Sequence, residues 1–173
     1  MHDPAALSRP SFTVRAARIT DALPMARVHV ESWRETYRGL MTDELLDDPE
    51  FVDHRERFWR GALTDARYAA NRVAVAVHDD AIVGIAMAGP STEPDAAAGW
   101  HLHVLYVLAS HHGIGVGEGL LDAVLDAGQE SSLWVADPNP RAQAFYRRHG
   151  FVAEGASRAG SGVREIRMLR SPT

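Results

Sequence analysis

The segment Gly113-Ile114-Gly115-Val116-Gly117-Glu118-Gly119 places a glycine at every second position. It follows the apolar run Trp100 to Leu108 and leads into a second apolar stretch around Leu120 and Leu121. That order predicts a strand, a glycine-rich turn and a helix. Glycine lets the backbone approach a ligand closely and adopt turns that other residues resist. The first N–H groups of a helix have no intrahelical acceptor and sit at the positive end of its dipole, which makes an anion site suited to a pyrophosphate. Glycines between a strand and a helix can also form a tight turn and nothing more, so both readings stand at this level. Two common phosphate binders are excluded. A dinucleotide fingerprint needs a third glycine where this chain has Glu118 or Leu120, and a P-loop needs a lysine, which the chain lacks.

On the preceding strand, alternation predicts that His101, His103 and Leu105 share a face. An imidazole titrates near neutrality and could accept a proton from an incoming nucleophile. The same histidines could be hydrogen-bonded strand residues without chemistry. They also have the look of a metal pair, but no third ligand is evident, so no metal site is expected.

Two motifs resemble those of the GNAT family of N-acetyltransferases. The pattern Q/R-x-x-G-x-G/A fits His112 to Gly117, with His112 where the family has Gln or Arg. Downstream, Asn139-Pro140-Arg141-Ala142-Gln143-Ala144-Phe145-Tyr146-Arg147-Arg148-His149-Gly150-Phe151 is similar to the family's N-x-x-A-x-x-F-Y-x-x-x-G-F stretch. The resemblance implies an α/β fold of the mixed α+β kind, the acyl-CoA N-acyltransferase fold, with a mostly antiparallel sheet flanked by helices. It implies acetyl-CoA as donor, held by Leu105, Tyr106 and Val107 along the strand, by His112, Gly113, Ile114, Gly115, Val116 and Gly117 at the turn, and by Asn139. Tyr146 stands at the family's general acid, a phenol aimed at the departing thiolate. His101 stands where many relatives carry a glutamate base. A family proline after the strand is replaced by Ala109.

The acceptor side is less marked. The stretch Glu31-Ser32-Trp33-Arg34-Glu35-Thr36-Tyr37-Arg38-Gly39 resembles the first-helix segment of one large GNAT subgroup, where this region walls the acceptor pocket. Glu31, Trp33, Tyr37 and His103 are therefore candidate acceptor contacts, with Glu31 a spare proton acceptor. Trp33 and Tyr37, four apart, share a helix face and could equally be core packing. The acceptor expected is a small-molecule or peptide amine. An inactive acyl-CoA-binding module and a transferase using a hydroxyl acceptor or a longer acyl group remain alternative readings. Relatives that dimerise suggest a homodimer by analogy.

Positioning these residues requires a mixed architecture. Short alternating runs predict strands at Phe12 to Arg18, Arg72 to His78, Ile82 to Ala88, Trp100 to Leu108, Ser132 to Ala136, Phe151 to Ser157 and Val163 to Leu169. Helices are predicted from Ala22 to Tyr37, from Glu50 to Leu63, from the glycine turn to about Ala127 and from Pro140 to His149. The order is β-α-α-β-β-β-α-β-α-β-β, read as one domain over 11–173 after a loose tail at 1–10. The chain has 173 residues, 46% of them hydrophobic, a formal net charge of −5 and no cysteine. Disulfides and thiolate chemistry are excluded. The acidic balance argues against nucleic-acid partners. No apolar run is long enough for a membrane helix, so no membrane role and a cytoplasmic location are expected.

Overall fold

A computed structural model of the chain describes residues 11–160 and 162–172. The tail expected at 1–10 and the hairpin residue Ser161 lie outside the described residues.

The strands are β1 (Thr13–Ala16), β2 (Arg72–His78), β3 (Ala81–Pro90), β4 (Trp100–Val107), β5 (Ser131–Ala136), β6 (Phe151–Gly160) and β7 (Val163–Arg170). The helices are α1 (Ala22–Tyr37), the single turn α2 (Asp43–Leu46), α3 (Phe51–Thr64), α4 (Val116–Val124) and α5 (Pro140–Arg148). The strands form a seven-stranded sheet in the order β1-β2-β3-β4-β5-β7-β6. Every neighbouring pair is antiparallel except β4 and β5, which run parallel. The β2–β3 hairpin turns on Asp79 and Asp80, whose φ of 48° and 61° suit the primed turns that match strand twist.

Each face of the sheet buries its own core. Val75, Ile85, Met87 and Val104 pack with Trp59 of α3 and Met25 and Ala26 of α1. On the other face Ala74, Ala76, Ala86 and Ala88 pack beneath Leu120, Leu121 and Val124 of α4. Small strand residues on this face let α4 sit close to the sheet. A Cβ at Gly84 would lie 2.8 Å from the Leu120 side chain, so any larger residue there would push the helix, and its N-terminus, away. Burying Leu120 contributes roughly 2 kcal/mol toward holding that end in place.

Two sequence expectations are corrected. Helix α4 ends at Val124 rather than near Ala127, because Leu125 turns to an extended conformation and buries its side chain in the core. The second correction concerns β4. Its register against β3 shifts between Met87↔Val104 and Ala88↔Leu102, so His103 is the extra residue of a β-bulge. A bulge breaks the period-two alternation. Leu105 therefore faces the α4 core with Leu102, and does not share a face with His101 and His103.

Candidate active site

The two parallel strands at the centre of the sheet separate almost at once. β4 and β5 pair only at His101↔Ser132 and Leu102↔Leu133. Beyond that point they splay, and a cleft of about 640 Å³ opens between them, bounded by the glycine turn, α5 and β7. At the splayed edge β4 keeps backbone groups without a β5 partner. Leu108 N–H donates to Val83 O on β3 at 3.0 Å, so strand alternation turns the polar groups of Leu105 and Val107 toward the opening. This edge can receive an extended, amide-bearing chain as a strand would.

At the mouth of the opening stands the N-terminus of α4. Gly115 is its N-cap, at φ +95° and with no side-chain cap, and Gly113 sits at φ +78°. These are conformations that only glycine adopts without strain. The early N–H groups of α4 are therefore free of side-chain acceptors and point to the cleft mouth. His112 Nε2 donates to Val107 O at 2.8 Å, which fixes its proton on Nε2 and ties the turn to the end of β4. Arg141 and Arg148, from the two ends of α5, also line the cleft. Uncapped N–H groups, left-handed glycines and flanking guanidinium groups fit a diphosphate followed by an extended arm.

The position after the strand carries its own adaptation. Ala109 N–H donates to Glu35 Oε2 of α1 at 2.8 Å. A proline there would have no N–H to give, so the Ala109 departure creates a tie between α1 and the turn.

Tyr146 lies on α5 at the cleft wall, packed against Phe145 and Phe151 at ring separations of 5.4 and 5.8 Å. The side chain is buried, yet the residue lines the cleft. Burial, and then the nearby Tyr106, push its pKa up, so the phenol keeps its proton at neutral pH. Asn139 lines the cleft while its Oδ1 accepts from Ala142 N–H at 3.2 Å, capping α5 ahead of Pro140.

Of the predicted acceptor residues, Tyr37, His101 and His103 reach the cleft. His101 is buried with Nδ1 2.8 Å from Ser132 Oγ. Burial, and then the neighbouring His103, lower its pKa to about 4. An imidazole that weak is a poor acceptor for a proton from an ammonium at about 10. His103 is also held below the ordinary value, by burial first. Glu31 does not reach the cleft. It is exposed on a second depression beside Arg27 and Arg34, which removes it as a spare base. Trp33 packs between Tyr37 and Phe51 instead of lining the cleft. The side chains of Val116 and Ile114 belong to the core, so only their backbones can serve a ligand. Among the described residues, no three His, Cys, Asp or Glu side chains are arranged to hold a metal ion.

Several lining residues carried no signal in the sequence. Trp134 on β5, Arg158 on β6 and Glu165 on β7 meet at the end of the cleft away from the glycine turn. They come together only because β7 inserts between β5 and β6.

A splayed parallel pair with a glycine-capped helix at its mouth defines an acyl-CoA N-acyltransferase fold. The profile of the acetyltransferase (GNAT) family matches residues 30–151, and the chain belongs to that family. It is 26% identical over 133 residues to the uncharacterized N-acetyltransferase YuaI of Bacillus subtilis, covering 74% of this chain and 73% of that protein. A probable N-acetyltransferase of Mycobacterium tuberculosis is 26% identical over 157 residues, 85% of this chain and 84% of its own length. Among solved structures, the PaiA N-acetyltransferase of Thermoplasma acidophilum, in complex with coenzyme A, superposes with a TM-score of 0.72. Its sequence identity is 20%, with 93% of this chain and 99% of that one covered. No helix among the described residues is long and apolar enough to cross a membrane.

Proposed function

We propose that this chain is an N-acetyltransferase that moves an acetyl group from acetyl-CoA directly to a primary amine of a small molecule or peptide. The observation that carries the reading is the position of the Tyr146 phenol. It lies in the same cleft as the uncapped N-terminus of α4 and the free edge of β4.

In this reading the N–H groups from Gly113 to Gly117 hold the pyrophosphate, with Arg141 and Arg148 beside them. The backbone groups of Leu105 and the N–H of Val107, whose carbonyl is taken by His112, hold the pantetheine arm, so the thioester is carried inward along β4. The amine nitrogen attacks the thioester carbonyl carbon, and the C–S bond breaks. Tyr146 donates a hydrogen bond to the sulfur as its negative charge develops. A thiol has a pKa of about 8.5 and a free phenol about 10, and burial raises Tyr146 further. Full proton transfer to the thiolate is therefore uphill, and hydrogen-bond stabilisation is the larger part of its role. His101, neutral and bonded to Ser132, shapes the pocket floor in this scheme.

One observation favours a second reading, an acyl-CoA-binding module without catalysis: the strand position expected to supply a base holds a histidine with a pKa near 4. Calorimetric titration with acetyl-CoA, beside CoA and NAD controls, followed by an amine-transfer assay, separates the possibilities. Binding of acetyl-CoA but not NAD, with transfer to an amine, is expected. Binding without transfer to any amine supports the module, and absence of binding overturns both.

A further inference from the structure

The acceptor end of the cleft already holds a cation, and it is the protein's own. Arg158 projects from β6 directly across from Glu165 of β7. Its Nε donates to Glu165 Oε2 at 2.7 Å, and its Nη1 donates to Glu93 Oε1 at 3.4 Å. The guanidinium lies over the Trp134 ring, 4.3 Å from the centroid. Carboxylates beside an aromatic face are what a desolvated cation needs. The backbone makes room for this arrangement, since a Cβ at Gly160 would fall 2.5 Å from Glu165 Oε2.

Of the two carboxylates bonded to Arg158, Glu165 is the one that lines the cleft, together with Tyr37, Tyr106 and Tyr146. Burial first, and then the neighbouring Tyr106, Glu165 and Tyr146, raise the pKa of Tyr37, which stays protonated. Glu93, by contrast, is committed elsewhere: it accepts from the Trp134 indole N–H and pairs with Arg167 at 3.5 Å. Arg167 is buried and pairs further with Glu154.

Resting on the acetyltransferase reading, we infer that Glu165 is the acceptor-side residue that receives the ammonium group of the amine substrate, and that Arg158 is an internal cation the substrate must displace. The ammonium displaces the guanidinium from Glu165, and Arg158 keeps Glu93 and the Trp134 face as partners. One proton leaves the docked ammonium through cleft water to solvent, which frees the nitrogen lone pair. That nitrogen bonds to the acyl carbon and the C–S bond breaks. The nitrogen's second proton passes through cleft water to the sulfur, giving a neutral thiol, and one proton is released overall. The aromatic wall of Tyr37, Tyr106 and Trp134 favours an amine on an apolar or aromatic stem.

The test uses the full chain with CoA bound, phenethylamine as the cationic probe and phenethyl alcohol as its neutral counterpart, read by calorimetry. Glu165→Gln is expected to weaken phenethylamine binding at least tenfold and to leave CoA binding within twofold. Arg158→Ala is expected to tighten phenethylamine binding several-fold, because the competing cation is gone. Binding of the alcohol should respond to neither change. In turnover assays with acetyl-CoA, Glu165→Gln should lower kcat/KM for the amine at least tenfold, chiefly through KM, while Arg158→Ala lowers KM. Equal amine binding by wild type and Glu165→Gln, or weaker binding by Arg158→Ala, overturns the inference. Failure of wild type to bind acetyl-CoA overturns the transferase reading instead, and the amine titrations still decide whether Glu165 is a cation site.

Discussion

The two ends of the cleft are built from different materials. In the proposed reading the donor end offers mainly backbone: the uncapped first turn of α4, left-handed Gly113 and Gly115, and the β4 edge at Leu105 and Val107, which has no β5 partner. The proposed acceptor end offers side chains, with Glu165, Arg158 and Trp134 supplied by three strands that are scattered along the chain. A backbone site needs only a turn of fixed geometry, and glycines encode that locally. A side-chain site depends on which strands become neighbours. The contrast teaches that the donor and the acceptor can change independently, since replacing side chains at one end leaves the backbone cradle at the other end intact.

The largest expected effect lies at the donor end. Gly115→Asp should abolish measurable acetyl-CoA binding, a loss above about a hundredfold, because a non-glycine residue is strained at that φ and a carboxylate would stand in the phosphate cradle. Calorimetry reads the outcome, and retained micromolar binding would show that the turn is structural only. The buried histidines give the next effect, on stability. His101 is held at about 4 and His29 at about 3, both chiefly by burial, against an ordinary value of 6.5. The unfolded chain takes up these protons as pH falls below about 6.5, while the folded chain does not. The stability they contribute is therefore complete above that pH and is lost as pH falls toward 4 and then 3. For His101 alone this is on the order of 3 kcal/mol. Melting temperatures from pH 7 to pH 4 check it, and His29→Leu should flatten part of the slope.

Tyr146→Phe sharpens the comparison at the junction of the two ends. Turnover should fall at least tenfold with acetyl-CoA affinity nearly unchanged, because in the proposed reading the lost hydroxyl acts on the developing thiolate and not on the bound arm. Unchanged turnover in a steady-state assay would remove Tyr146 from the chemistry. The smallest effect is expected for Glu35→Ala, which takes away the acceptor of the Ala109 N–H. A stability loss of about 1 kcal/mol by denaturant unfolding is expected, with acetyl-CoA affinity falling only a few-fold as the turn loosens.

What could be read in advance follows the same division. The glycine turn and the strand before it were legible, because each is a local pattern with a local physical cause. Hydrophobic alternation placed the strands of the sheet near their observed positions. The end of α4 was misjudged because burial of Leu125 in the core ends the helix earlier than its apolar pattern suggests. The shared face of His101, His103 and Leu105 failed for a related reason: a bulge is a relation between two strands and leaves no mark in one of them. Glu31 was a plausible base by type alone, and the orientation of α1 on the sheet turned it to the other side.

The sequence by itself determined the periodicities, the left-handed glycines, the helix caps and the motifs that place this chain in its family. These depend on residues within a few positions of one another. Tertiary structure alone decided that β4 and β5 part after two paired positions and that β7 lies between β5 and β6. It thereby decided that Glu165, Arg158 and Trp134 line one cleft with Tyr146. The physical reason is that strand neighbours are chosen by burial of whole faces and closure of long loops, terms that sum over the entire chain and appear in no short stretch of it.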